Sequence, residues 1–388
     1  MKSKKGQGRA HIKPRCPFGD EMNFDNYSCD NQMSIFDFVR RPISITKPIR
    51  LIELFAGYGS QAMALKRICA KFEHYRVVEF DKFAIASYNA IHGTDFQPAD
   101  IKEIHAAELA ITDTEQFTYL LTYSFPCTDL SVAGKQMGMS KGSGTRSGLL
   151  WEVERILTEI IDGDGELPQI LFMENVPQVH GKKNIEDFKK WIDFLERLGY
   201  TNYWQDLNAK NYGVAQNRNR CFMFSFLGDY SYQFPEPRTS GIPAEQRLEV
   251  NTQGTSNCLT SVQKDNLVIE SQVLTPKRTE YGKKIRKAYE SGEMKESRHK
   301  MTELEPRKDG VSNTLTTVQK DNLVIEQPEY RIRKLTPREC GRLMGVSDED
   351  ISQMAEVNSN SQLYKQFGNS IVVDAMCAMF KNLNIKQK

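Results

Sequence analysis

Three places in this chain carry residue types suited to chemistry. Cys127 lies in "SFPCTDLS" (124–131), directly after a proline and just past a run, Phe117 to Tyr123, that reads as a buried strand. Glu174 lies in "MENVP", near the end of a second apolar run, "QILFMENV" (169–176). Arg218 and Arg220 alternate in "QNRNR" (216–220), and a period of two puts both guanidiniums on one side of an extended segment. A thiolate attacks electrophilic carbon, a carboxyl holds or gives a proton, and paired guanidiniums suit a phosphate or a carbonyl oxygen. For Cys127 alone, four readings stand: packing filler, metal ligand, redox thiol or nucleophile.

The elements that must position these groups are legible around them. "IRLIELF" reads as a short apolar strand, "AGYGS" as a turn and "QAMALKRI" as a helix. "YRVVEF" (75–80) is a second strand, followed by the amphipathic "DKFAIASYNAI". "GLLWEVERILTEII" and "EDFKKWIDFLERLG" are further amphipathic helices, and "RCFMFSFLG" (220–228) is a late strand of the same sheet. Strands alternating with helices at this spacing predict a parallel sheet covered on both faces, a doubly wound α/β fold. In such a sheet the carboxyl ends of the strands open onto one crevice, so Cys127 and Glu174 are expected to face each other across it. A filler role for Cys127 fits that position poorly.

The first strand–turn–helix adds a ligand. Gly57 and Gly59 leave backbone bare for close approach, and Gly57, Gly59 and Ala62 satisfy G-x-G-x-x-A. Glu79 ends the second strand, where a carboxylate meets a nucleotide ribose. An adenosine-containing cofactor is expected, either NAD or S-adenosylmethionine.

Composition narrows the class. The eight cysteines of the 388-residue chain (16, 29, 69, 127, 221, 258, 340 and 377) form no C-x-x-C pair and no regular spacing. That argues against a zinc cage or a disulfide framework and fits a reducing cytoplasm. No stretch approaches the roughly 18 apolar residues needed to cross a bilayer, and the basic N-terminus has no apolar core behind it. Net charge is only +2, yet residues 1–15 hold six basic residues and no acid, and residues 277–300 hold nine against four glutamates. Basic patches on a near-neutral body suit a protein that meets a polyanion along one face.

Beyond about residue 230 the alternation stops. "GTSNCLTSVQKDNLVIE" (254–270) recurs as "GVSNTLTTVQKDNLVIE" (310–326), differing only at Thr255/Val311, Cys258/Thr314 and Ser261/Thr317. The expected organisation is a polar extension (1–47), a catalytic domain (48–229), a smaller irregular or β domain (230–334) and a segment returning to the first domain (335–388). The return would be made by one long, apolar final helix.

Taken together, the ordered blocks "LFAGYGS", "SFPCTDLS", "MENV", "LNAKNYGVAQNRNR", "LTPRECGRLMGV" and "QFGNSIVV" resemble the cytosine-C5 DNA methyltransferase family from about residue 49 to 384. Departures are modest: Ser60, Thr128, Ala215 and "VSDEDI" differ from common family choices, and none carries the chemical groups. The resemblance implies a mostly parallel Rossmann-like methyltransferase sheet with a separate target-recognition domain, and no metal. Cys127 would attack C6 of a flipped-out cytosine, Glu174 would bond its N3 and amine, and Arg220 with Arg218 would serve O2 or fix Glu174. Phe55, Gly57, Gly59, Glu79, Phe80, Asp100, Ile101, Pro126, Leu149, Asn369 and Ser370 would hold S-adenosylmethionine. Glu79 would take the ribose hydroxyls, Phe80 would stack on adenine and Asp100 would accept from its amine. The loop 128–147 would close over the base, and Gln263, Lys264, Asp265 and their repeats Gln319, Lys320, Asp321 could face base edges or only support the domain. The expected partner is double-stranded DNA, met by a monomer, with a restriction endonuclease as a functional counterpart unless the enzyme is an orphan or phage type. A tRNA cytosine-C5 methyltransferase and an NAD-dependent oxidoreductase are the alternatives.

Overall fold

The middle of the sheet is made by runs that bury both faces. β2 (Ile49–Leu54), β4 (Thr118–Tyr123) and β5 (Ile170–Asn175) are buried along nearly their whole length, as expected of strands with helices on either side. The computed structural model describes residues 40–130, 138–237, 271–278, 302–307, 311–315, 323–326 and 331–386. Residues 1–39, the first repeat copy, the basic stretch 279–300, Gln319–Asp321 and the loop residues 131–137 lie outside them.

Among the described residues the main sheet has six strands. β3 (Phe72–Val78) flanks β2, and β8 (Asn219–Leu227) and β6 (Tyr200–Asn208) extend the other side, giving the order β3-β2-β4-β5-β8-β6. The first four pair in parallel, whereas β8 runs antiparallel between β5 and β6. That one reversal brings the start of β8, and so Arg220, to the carboxyl ends of the parallel strands.

Helices cover both faces. α4 (Leu150–Asp162) buries Val153, Ile156, Leu157 and Ile160, and α5 (Ile185–Arg197) buries Phe188, Trp191, Ile192 and Leu195, the i, i+3, i+4 stripe of an amphipathic helix. Both pack with Leu171 and Met173 of β5, as does the short α3 (Ala106–Leu109). On the opposite face α1 (Ser60–Arg67) and α9 (Val373–Lys381) pack with Phe172 and Phe224. Phe380 of α9 sits 5.2 Å from Phe172 and 6.1 Å from Phe224, ring to ring. α2 (Lys82–His92) is capped by Asp81, whose carboxylate accepts from Phe83 N at 3.0 Å. It meets α7 (Asp348–Val357), which follows α6 (Pro337–Leu343), and Asn358 just beyond α7 donates to Phe83 O and Ser87 Oγ at 2.8 Å.

Several boundaries differ from the sequence-based expectations. The final helix is two helices, α8 (Asn360–Asn369) and α9, separated where Ser370 turns extended. Residues 40–47 belong to the body, since Ile43 and Ile45 enter the core and β1 (Arg41–Pro42) pairs with β9 (Tyr230–Ser231). Tyr232 and Phe234 are also core residues, so the body runs past residue 230. The smaller sheet is antiparallel, in the order β11-β10-β13-β14, formed by β10 (Ser271–Arg278), β11 (Thr302–Pro306), β13 (Leu323–Glu326) and β14 (Arg331–Lys334). The start of the second repeat copy lies elsewhere: β12 (Ser312–Asn313) pairs with β7 (Gln216–Asn217), and Leu315 is buried in the main core.

The two aromatic contacts of Phe380 dock the C-terminal segment on the sheet. Phe380→Ala is therefore expected to cost about 3–5 kcal/mol in urea unfolding; a loss below about 1 kcal/mol would mean that α9 does not hold the body together.

Candidate active site

The loops at the carboxyl ends of β2, β3, β4 and β5 surround a cavity of about 1010 Å³, at the upper end of the range for small-molecule sites. Its walls bring together Cys127, Glu174, Arg218 and Arg220, and also Phe55, Gly57, Glu79, Phe80, Asp100, Ile101, Pro126, Leu149, Asn369 and Ser370. Of the residues expected to carry the chemistry or hold S-adenosylmethionine, Gly59 alone does not line it. A Cβ on Gly59 would lie 2.4 Å from His92 Nε2 and 2.6 Å from Tyr88 Cε2, with the backbone at φ +81°. Gly59 is required by the packing of α2 beneath the turn, which spacing in the sequence could not distinguish from ligand approach. Gly57, at φ +58°, has nothing within 4 Å of its absent Cβ, so its open side is the one left to a ligand. Phe55 takes a left-handed backbone as well, at φ 58°, a conformation costing a non-glycine residue about 1–3 kcal/mol.

Glu79 ties two of these turns together. Its Oε2 accepts from Gly57 N at 2.9 Å and its Oε1 from Asp81 N at 2.8 Å. Burial raises its pKa above the usual carboxylate value, while the two amides oppose the rise. Next to it Phe80 is 76% exposed at the cavity edge, an apolar ring left for something flat to cover. Asp100 caps the 3-10 turn Ile101–Glu103 by accepting from Lys102 N at 3.0 Å. Ser370 Oγ meets Ser60 Oγ at 2.5 Å, which fastens the break between α8 and α9 to the turn after β2.

Cys127 is held by contacts that residue type alone did not single out. Asp129, buried two residues on, accepts from Arg146 N at 2.8 Å through its carboxylate and from Gly138 N at 3.1 Å through its carbonyl. Ser147 donates to Pro126 O at 2.7 Å, and Asn175 donates to Phe125 O at 2.9 Å. The turn carrying the thiol is thus pinned to the end of β5 on one side and to residues 138–147 on the other.

The two arginines divide their work. Arg220 Nε lies 3.1 Å from Glu174 Oε1. Arg218 is only 2% exposed and donates to Leu315 O and Gly368 O, both at 3.1 Å, and to Ser370 O. The pairing of Arg218 with Arg220 in one chemical role, expected from their period of two, is not what the geometry gives; Arg218 positions backbone.

Charge sets the state of the thiol. Burial raises the Cys127 pKa first, the Glu174 charge raises it further, and Arg220 and Arg218 pull it down without cancelling the rise. In the free protein the two arginines do not offset the combined effect of burial and the Glu174 charge on the thiol. Glu174 is itself pushed above the usual carboxylate range by burial, against the two arginines.

The model of the C-5 cytosine-specific DNA methylase family matches residues 49–384. The chain belongs to this family. It is a DNA (cytosine-5-)-methyltransferase, and neither the tRNA enzyme nor the oxidoreductase is favoured. It is similar to the type II methyltransferase M2.ScrFI of Lactococcus lactis subsp. cremoris, 30% identical over 389 residues that cover 86% of this chain and 99% of the relative. The orphan methyltransferase M.SssI of Spiroplasma monobiae is 35% identical over 239 residues, covering 48% of this chain and 61% of its own. In fold it is similar to the S. pombe Dnmt2 methyltransferase, with a TM-score of 0.57 and 18% identity over 86% of this chain and 97% of that one.

The sign of the Glu174 effect is measurable. A thiol with a raised pKa becomes thiolate only as pH rises, so iodoacetamide should alkylate Cys127 slowly near neutrality and faster in alkali. Glu174→Gln removes the charge that raises the thiol, and is expected to speed alkylation at pH 8 by roughly three- to tenfold. An unchanged or slower rate would contradict the electrostatic assignment.

Proposed function

We propose that Cys127 is the nucleophile for C5 methylation of a cytosine in duplex DNA, with Glu174 and Arg220 as its chemical partners and S-adenosylmethionine as methyl donor. The observation that carries this reading is the 3.1 Å Glu174–Arg220 pair in the wall of the same cavity as Cys127 and the exposed Phe80 ring. Cytosine C5 is a weak nucleophile. Addition of the Cys127 sulfur to C6 breaks the C5–C6 double bond and leaves C5 electron-rich, dividing one hard step into easier ones.

Glu174, with its raised pKa, holds a proton for the cytosine N3 and accepts from the exocyclic amine, so the charge that builds as sulfur adds is neutralised where it forms. While it keeps that proton, Glu174 no longer opposes ionisation of Cys127, so the thiolate can form before the proton is passed to N3. Arg220 keeps the carboxyl aimed and has its remaining donors for O2. After C5 gains the methyl group, its hydrogen leaves as a proton to water, the N3 proton returns to Glu174, the sulfur–C6 bond breaks, and the aromatic ring and the Cys127 thiolate are restored.

The residues present fit the cofactor. Phe80 offers a stacking face, Gly57 bare backbone, and Glu79 acceptor lone pairs for ribose hydroxyls, while Asp100, Ile101, Pro126, Leu149, Asn369 and Ser370 complete the wall. Bound there, a methyl sulfonium supplies the electrophilic carbon. Gly59 acts one step back, by letting the turn lie on Tyr88 and His92.

A base in a duplex cannot present C6 to a thiol, so the target must be flipped out, at a few kcal/mol. The block that follows Phe234, up to residue 334, is assigned to DNA recognition, with the antiparallel sheet of β10, β11, β13 and β14 as its framework. The enzyme is assigned to act as a monomer in the cytoplasm. Where the enzyme works in a restriction-modification pair, as the name of the type II relative M2.ScrFI suggests, the endonuclease is a functional counterpart rather than a subunit; the orphan M.SssI represents the alternative without one.

Duplex DNA carrying 5-fluorocytosine at the target position tests the nucleophile. Fluorine cannot leave C5 as a cation, so with S-adenosylmethionine a denaturant-stable adduct through Cys127 is expected, and Cys127→Ala should form none and lose methyl transfer. Methylation by Cys127→Ala, or no adduct with the wild type under turnover conditions, would sink the assignment.

A further inference from the structure

The strand pairing that completes the sheet also gathers three metal-ligating side chains. His180 ends the 3-10 turn Pro177–His180 that follows β5, Asp206 lies in β6, and Cys221 lies in β8 as its direct cross-strand partner. One ligand atom from each lies within 4.8 Å of the others, and His180 Nε2 is 3.0 Å from Asp206 Oδ1. Cys221 is fully buried and directs its thiol to the same carboxylate. His180 and Asp206 keep side-chain exposures of 23% and 21%, so the group is open to solvent on one side. The imidazole is held in place, its ring 4.8 Å from Trp204 and 6.2 Å from Phe188.

We propose that His180 Nε2, Asp206 Oδ1 and Cys221 Sγ form a binding site for a zinc-type divalent cation, with water as the fourth ligand. The donor set decides the class. Magnesium and calcium prefer oxygen alone, whereas zinc takes nitrogen, oxygen and thiolate together at about 2.0–2.3 Å in a tetrahedron. Such ligands stand roughly 3.3–3.8 Å apart around the ion, so side-chain adjustments of about an ångström suffice. Binding replaces the two hydrogen bonds to Asp206 and releases the thiol proton to solvent. No spacing in the sequence announces the site, because its ligands come from a turn and two antiparallel strands.

The site is distinct from the catalytic one. Successive residues of a strand point to opposite faces, so Cys221 turns away from the side on which Arg220 meets Glu174. A cation there would join β6, β8 and the turn after β5, the three segments that together fix where Arg220 and Glu174 stand.

Cobalt(II) added to the chelator-treated full-length protein reads the site directly. One equivalent should give tetrahedral visible bands and a thiolate-to-cobalt charge-transfer band, and zinc should bleach both. Cys127→Ser should keep the charge-transfer band, Cys221→Ser should lose it, and His180→Ala and Asp206→Asn should weaken binding at least tenfold with folding verified by circular dichroism. Should Cys221→Ser fail to fold, the His180 and Asp206 variants carry the test. Absence of the band in the folded wild type, or its persistence in Cys221→Ser or undiminished affinity in His180→Ala, would overturn the proposal.

Discussion

Arg218 takes a charge into the protein interior, and backbone carbonyls from two distant parts of the chain receive it. Leu315 belongs to the second repeat copy, and Gly368 and Ser370 flank the break between the last two helices. A buried guanidinium is costly unless its donors are met. Burial and the neighbouring Arg220 lower its pKa to about 9, which still leaves it charged at neutral pH. The same stretch is tied again by Gln216, which donates to Leu343 O at 2.8 Å and accepts from Leu315 N at 3.3 Å. From Ser370 the linkage reaches Ser60 and so the turn over the cavity. The polar cluster at 216–218 therefore fixes where the repeat, the C-terminal segment and the proposed cofactor wall meet.

Against that frame, the charges around Cys127 form a set with one net imbalance. Both groups are raised by burial, and the Glu174 charge raises the thiol further, while Arg220 and Arg218 favour the charged form of each. A free enzyme holding a neutral thiol is protected from stray alkylation and oxidation, and the proposed base-binding step is what shifts the balance. Catalytic competence in this scheme arises with the substrate and is not stored in the free protein.

Much of this was legible in the chain itself. β2, β4 and β5 are apolar throughout because both their faces are covered, and such runs stand out; the residues at their carboxyl ends then had to share a crevice. β6 was missed because Tyr200–Asn208 is half-buried for most of its length at the sheet edge, so its polar and aromatic residues show no clean alternation. The single long final helix was misjudged because Ser370 to Val372 break it for contacts that lie far away in sequence. Gly59 and Arg218 carry the right residue types with different tasks: helix packing explains the first and carbonyl satisfaction the second, and neither can be told from spacing. The grouping of His180, Asp206 and Cys221 depends on the pairing of β6 with β8 and leaves no local pattern at all.

Urea unfolding of Arg218→Met, with Arg220→Met as comparison, tests the central claim that the first arginine builds the site and the second works in it. Arg218→Met should lose about 3–5 kcal/mol, because three enclosed carbonyls lose their donor, and should lose S-adenosylmethionine binding along with it. Arg220→Met leaves Glu174 able to neutralise itself by taking up a proton, so it should cost clearly less stability than Arg218→Met while methyl transfer falls at least 100-fold. An Arg218→Met protein as stable as wild type, binding the methyl donor equally well, would contradict the account.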